Sequence, residues 1–162
     1  MDIRRNRLSN VIFTAILTSN SKLMYITGVR RGLGKALVDK FGNDESLETC
    51  DVFINCKHDG FEQVEMLYYA AKLNKRIINI GSHASDFTHL HKYAVEKKAL
   101  REANHQLFME GTNTTILNFG YIDTERSAHQ DVKKMSVSYC IDIIEWVLEQ
   151  PHRIKDITIV AD

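Results

Sequence analysis

The sequence predicts an α/β domain: a doubly wound parallel sheet of about five to six strands, with helices on both faces. Three observations predict it. Short apolar runs alternate along the chain with stretches of helical periodicity. Those runs lack the in–out alternation of half-exposed strands, which is the pattern of parallel strands buried on both sides. The 162 residues are 44% hydrophobic and 26% charged, enough for one core and one domain, and a single proline leaves no Pro-rich linker.

The elements follow in order. Residues 11–17, Val-Ile-Phe-Thr-Ala-Ile-Leu, come after Arg4, Arg5 and Arg7. This layout resembles the basic and apolar regions of a signal peptide, but the apolar stretch is short and no small-x-small site follows cleanly. Its β-branched content suits a strand better, so residues 1–20 are read as an N-terminal extension with an added strand. Strands are then expected at 23–27, 51–56, 76–81, 114–119 and 156–161. Helices are expected at 32–41, 61–74, 91–110 and 136–149. Leu100, Ala103 and Leu107 line one face of the third helix; Ile141, Ile144 and Leu148 line one face of the fourth, and Pro151 follows its end. Right-handed crossovers between such units would give the doubly wound sheet.

The turn between the first of these strands and its helix carries the chemistry. It reads Thr27-Gly28-Val-Arg30-Arg31-Gly32-Leu33-Gly34. Gly28 permits a turn that a Cβ would hinder, and Gly32 and Gly34 allow close approach of ligand and strand to the helix. The free N–H groups of the first helical turn and the helix dipole then face an anion. A glycine pattern between strand and helix marks a Rossmann-like dinucleotide site.

Further along, Arg76-Ile-Ile-Asn-Ile-Gly-Ser82 ends a strand in a serine. Tyr93-Ala-Val-Glu-Lys97 follows inside a helix, and Gly120-Tyr-Ile-Asp-Thr124 follows the next strand. Together these motifs resemble the short-chain dehydrogenase/reductase family from about Leu23 to the C-terminus. That family has TGxxxGxG after its first strand, a serine after its fifth, YxxxK on the next helix and PGxIxT after its sixth. Phe119 stands where the family has proline; Gly120, Ile122 and Thr124 match.

The resemblance also exposes what is missing. Only about 16 residues separate Gly34 from Asp51-Val-Phe-Ile-Asn55, which is similar to the family's fourth strand. The second and third strand–helix units are therefore read as absent. Cys56, Lys57 and His58 stand where Asn, Ala and Gly are usual. An acid that grips the adenosine ribose belongs at a strand's C-terminal end about 20 residues past the glycines. Glu48 and Asp51 fall before or at the start of a strand instead. The adenosine half of the site is expected to be incomplete.

The resemblance implies an oxidoreductase that moves hydride between a nicotinamide and a carbonyl or alcohol. Tyr93 would be the acid/base, Ser82 would hydrogen-bond the same substrate oxygen, and Lys97 would support both tyrosine and nicotinamide ribose. Four residues apart on a helix, Tyr93 and Lys97 project from the same face. A lysine cation beside a phenol favours the phenolate. The resemblance assigns cofactor binding to Gly28, Arg30, Arg31, Gly32, Leu33, Gly34, Asn55, Cys56, Ile122 and Thr124. A basic residue just before Gly32 implies NADP(H), with NAD possible, since a guanidinium can pair bidentately with a 2′-phosphate. The alternative is a non-catalytic module that keeps the dinucleotide cradle for sensing or assembly. The altered Asn55-Cys56-Lys57-His58 segment favours that reading; the retained Ser82, Tyr93 and Lys97 favour the enzyme.

Other signals narrow the function. Tyr68 and Lys72 also satisfy YxxxK, but they precede the serine strand. His83, His89 and His91 cluster without a carboxylate or cysteine that would complete a metal spacing, so no metal is expected. Lys+Arg and Asp+Glu are equal at 21 each, which gives no reason to expect nucleic acid or an acidic membrane as partner. No apolar run approaches the roughly 20 residues that span a bilayer. Three cysteines without CxxC suit a reduced cytoplasm. Tyr68, Tyr69, Leu73, Leu107 and Phe108 on the second and third helices suggest an apolar face for a homodimer or homotetramer.

Overall fold

The computed structural model describes residues 22–162. The sheet has five strands: β1 (Met24–Ile26), β2 (Val52–Asn55), β3 (Arg76–Ser82), β4 (Thr114–Phe119) and β5 (Asp156–Ile159). Four helices connect them: α1 (Gly32–Phe41), α2 (Glu62–Lys72), α3 (Lys92–Met109) and α4 (Val137–Glu149). Each expected element past residue 22 is present within a few residues of its expected bounds. Two short 3-10 turns, His83–Asp86 and Glu125–Ser127, follow β3 and β4 and were not expected. The strand expected at 11–17 lies outside the described residues.

All pairings are parallel, and the order across the sheet is β1-β2-β3-β4-β5. Side chains alternate between faces, as strand geometry requires. Ile54 and Ile78 pack with Leu33 and Leu37 of α1 and Ile141 and Ile144 of α4. Phe53 and Ile77 point the other way, onto Leu67 of α2 and Leu100 and Leu107 of α3. Helices therefore cover both faces. Lys40 of α1 and Glu145 of α4 form an ion pair on their side.

One expectation fails here. Every connection steps one strand in the same direction, so its hand depends only on which face its helix covers. The α1 and α4 crossovers thus have the opposite hand to those of α2 and α3. One pair runs against the right-handed preference. Uniformly right-handed crossovers would put all four helices on one face and leave the other bare.

Among the described residues β1 is an edge strand, and its free edge is occupied. Asn43 accepts from the Ile26 N–H through Oδ1 at 2.8 Å and donates through Nδ2 to the Ile26 carbonyl at 3.3 Å. The Asp44 N–H donates to the Met24 carbonyl at 2.7 Å. The chain leaving α1 through Gly42 therefore runs back along β1, where a further strand would otherwise pair. The 2.8 Å amide contact and its return bond satisfy backbone groups that would otherwise invite another strand.

The apolar face anticipated on α2 and α3 is smaller than expected. Tyr68 and Tyr69 are exposed, but Leu107 is in the core. No helix among the described residues is long and apolar enough to cross a membrane.

Candidate functional site

The C-terminal ends of the parallel strands converge, and every candidate residue is placed there or on the loops and helices that follow. The glycine turn is built first. Gly28 and Gly32 have φ of 72° and 62°, the left-handed region that favours glycine. Gly34 is required for a different reason: a Cβ there would lie 1.9 Å from the Gly28 carbonyl oxygen. Thr27 fixes the turn to its neighbour, accepting from the Cys56 N–H at 3.0 Å and the Lys57 N–H at 3.1 Å. This threonine contact lay unread in the sequence, although it explains why the residue before Gly28 carries a hydroxyl.

The first turn of α1 is open to an anion. Its N-cap, Arg31, makes no side-chain cap, and no acidic residue stands in the turn. Arg30, Arg31, Gly32 and Lys35 line a cleft of about 350 Å³ with Asp123, Thr124, Glu125 and Val137. The Thr124 methyl lies 3.6 Å from where a Gly32 Cβ would be. The structure thus brings the glycine turn and the segment after β4 together, though they are far apart in sequence. Leu33 is buried in the core beneath the turn, so its side chain anchors α1. Ile122 is half-buried and bridges to Met135.

The second group gathers around Tyr93. Lys97 Nζ lies 5.7 Å from the Tyr93 ring centroid, one turn along α3. The Arg126 guanidinium lies 5.8 Å from the same centroid. The His58 ring packs edge-on at 4.7 Å, and His91 lies 6.1 Å away. His58 Nε2 reaches Glu96 Oε2 at 3.2 Å. Burial, then the nearby Lys97 charge, holds the His58 imidazole below its usual pKa. His58 stands where the resemblance has glycine, so it adds a ring beside Tyr93 that the sequence motif did not anticipate.

Lys97 is buried, and burial lowers its amine to about 8. Its Nζ donates to Gln63 Oε1 at 2.8 Å and to the Ile80 carbonyl at 3.0 Å. Gln63 in turn donates to the Asn55 carbonyl at 2.8 Å and the Ile80 carbonyl at 3.1 Å. Asn55 donates to the Gln63 carbonyl and to Asn79 Oδ1 at 3.0 Å. A buried polar network therefore ties the end of β2 to the lysine. Gln63 and Asn79 escaped the sequence reading; the detectable signal was two amides within otherwise apolar-periodic elements.

Ser82 ends β3, but its hydroxyl accepts from the Ala84 N–H at 3.1 Å and caps the 3-10 turn. No hydrogen bond joins Ser82 to Tyr93 among the described residues. Cys56 is placed beside Lys97, and burial pushes its thiol up to about 11. At neutral pH it stays protonated and is a poor nucleophile.

The fold is that of the short-chain dehydrogenases. A short-chain dehydrogenase from Burkholderia cenocepacia J2315, solved with NADP, superposes with a TM-score of 0.62 at 15% identity, over 85% of this chain and 87% of that one. A short-chain dehydrogenase from Streptomyces avermitilis gives 0.64 at 12% identity, over 86% and 88%. The 3-alpha-hydroxysteroid dehydrogenase of Pseudomonas sp. B-0831, solved with NADH, gives 0.56 at 12% identity, over 85% and 95%. No family model matches the sequence, and no curated protein is significantly similar to it.

Proposed function

We propose that this chain is an NADP(H)-dependent oxidoreductase of the short-chain dehydrogenase/reductase type, acting on a carbonyl or alcohol. The observation that carries the reading is the buried Lys97 amine 5.7 Å from the Tyr93 ring, at the same sheet end as a glycine turn open to phosphate. A structural lysine is seldom buried without a carboxylate partner. An acid–base tyrosine gives that burial a purpose.

The residues fit the phosphate part of a dinucleotide. Gly34 makes space that any Cβ would fill, and the uncapped N-terminus of α1 presents free N–H groups. Arg30, Arg31 and Lys35 supply positive charge at the cleft and favour NADP(H), while NAD remains the second choice. When bound, the cofactor supplies or accepts the hydride at the carbon of the substrate. In reduction Tyr93 gives its phenolic proton to the carbonyl oxygen; in oxidation it takes one from the alcohol. Ser82 would steady that oxygen by donating its O–H, since its bond to Ala84 uses only a lone pair of the hydroxyl. Asn55 and Gln63 hold Lys97 under the tyrosine. Ile122 and Thr124, the latter beside the glycine turn, would contact the nicotinamide end. The adenosine end has less to hold it, since Asn43 and Asp44 occupy the outer edge of β1. Binding weaker than that of relatives with an intact adenosine site follows.

A second reading is a dinucleotide-binding protein without turnover. It is favoured by His58 against Tyr93 and by the two Lys97 protons committed to Gln63 and Ile80. Calorimetric titration with NADPH and NADH, followed by NADPH oxidation over a carbonyl panel, separates the two. Binding with turnover supports the enzyme, and binding without turnover supports the second reading. Tighter NADH reverses the preference, and no binding of either ends both.

A further inference from the structure

The charge around Tyr93 is one-sided. Lys97 and Arg126 both approach its ring, at 5.7 and 5.8 Å, and His58 and His91 flank it. The Glu96 carboxylate, on the same helix, is engaged by His58 at 3.2 Å. Lys97 has little left for a charged ligand: it is buried, and two of its three N–H donors go to Gln63 and the Ile80 carbonyl. Arg126 differs. It is exposed, and it makes no ion pair and no side-chain hydrogen bond among the described residues. Its five N–H donors are available, in a fork that matches a carboxylate.

The backbone beneath Arg126 is held firmly. Ser127 Oγ donates to the Ile122 carbonyl at 2.5 Å and accepts from the Thr124 N–H at 3.3 Å. The Ala128 N–H donates to the Glu125 carbonyl at 3.3 Å. This closed 3-10 turn presents the guanidinium beside the phenol, an arrangement in which less freedom is lost on binding. Asp123 and Glu125 line the neighbouring cleft with Arg30, Arg31 and Lys35.

We propose that the substrate is a carbonyl compound carrying a carboxylate close to the reacting carbon, an oxo acid in reduction and a hydroxy acid in oxidation, with Arg126 holding the carboxylate. This rests on the oxidoreductase reading above. Reduction breaks the C=O π bond. The carbon takes a hydride, and with it two electrons, from the reduced nicotinamide, and the oxygen takes a proton from Tyr93. The carboxylate is unchanged and serves only to bind.

The test compares 3-oxobutanoate with 3-oxobutanamide, which are close in shape and differ in charge. Both are titrated calorimetrically into the protein saturated with NADP+, so that no turnover intervenes. The acid is expected to bind about tenfold tighter at low salt, the worth of a charge-assisted pair. Arg126→Gln should abolish that preference and leave amide binding as it was, and Arg126→Lys should restore part of it. Circular dichroism checks that both variants fold. Equal affinity of the parent for the two compounds, or a preference unchanged in Arg126→Gln, overturns the proposal. So does a loss confined to NADP+ affinity, which would assign the guanidinium to the cofactor. Titration of NADP+ alone tests the underlying reading separately. NADP+ binding without an acid preference refutes only the substrate class, whereas binding of neither NADP+ nor NAD+ removes the oxidoreductase reading and the substrate role with it.

Discussion

Replacing Gly34 by alanine probes the tightest contact at the site. The added Cβ would sit 1.9 Å from the Gly28 carbonyl oxygen and 2.6 Å from its carbon. The gap must widen by about 1.5 Å to reach ordinary contact, and both sides of it are backbone. Helix propensity argues the other way, since alanine in place of glycine is worth about 1 kcal/mol within a helix. Overpacking against an obstacle that cannot rotate away costs about 3 kcal/mol or somewhat more. The steric effect wins, because relieving it pulls Leu33 and Leu37 out of register with the sheet. A net loss of about 2 kcal/mol lowers the melting temperature of a domain this size by about 4–8 °C. The same shift displaces the first turn of α1, so NADP(H) affinity should fall at least tenfold. Gly42→Ala is the companion: its φ is 75° but no atom lies within 4 Å of the new Cβ. With ψ of −178° the backbone is in a region essentially reserved for glycine, so it should lose about 1–3 kcal/mol to strain and still keep its ligand affinity. Calorimetric melting and NADPH titration of both variants give the answer. A Gly34→Ala protein with parental melting temperature and parental affinity would refute the reasoning.

Four further outcomes are expected. Tyr93→Phe should keep the fold and cut turnover by orders of magnitude, whereas Tyr68→Phe should do little; equal turnover of Tyr93→Phe and parent would remove the assignment. Lys97, lowered to about 8 by burial, binds its proton less tightly folded than unfolded. Its contribution therefore makes stability rise between about pH 8 and the unfolded lysine value near 10.4, and Lys97→Met should lose that rise in urea titrations across this range. Asn43→Ala should cost about 1–2 kcal/mol, read as a lower urea midpoint, because the Ile26 N–H loses its acceptor. Light scattering at tens of micromolar should give a dimer or tetramer mass through the α2–α3 face that carries Tyr68 and Tyr69; a sharp monomer mass would count against self-association.

Much of this fold could be read in advance because its three central strands are buried on both faces. Residues 52–54 and 77–78 are apolar runs, and Leu100, Ala103 and Leu107 mark a helix stripe that the structure buries. The glycine turn was legible because backbone conformation and close approach leave glycine no substitute at Gly28 and Gly34. What escaped depends on pairs distant in sequence. Periodicity says nothing of the face a crossover takes, so the mixed hands of the connections were invisible. Nor could spacing reveal that Asn43 would mimic a strand, since an asparagine after a helix-ending glycine reads as loop. Gln63 under Lys97 and Arg126 over Tyr93 meet only once α2, α3 and the segment after β4 are assembled. The burial of Glu96 and Lys97 on α3 likewise defeated a pattern in which charge means solvent.

The contact between Asn43 and β1 changes what a shortened sheet can tolerate. A protein that ends its sheet at an internal strand exposes a template, and in crowded surroundings such a template recruits other chains edge to edge. Here one primary amide donates to and accepts from the same residue, imitating a single rung of the ladder. An amide side chain cannot propagate that ladder, because it has no next residue to offer. Among the described residues the border of the sheet is thereby closed without a further strand. An incoming β-segment would have to displace Asn43 and Asp44 together before it gained its first bond.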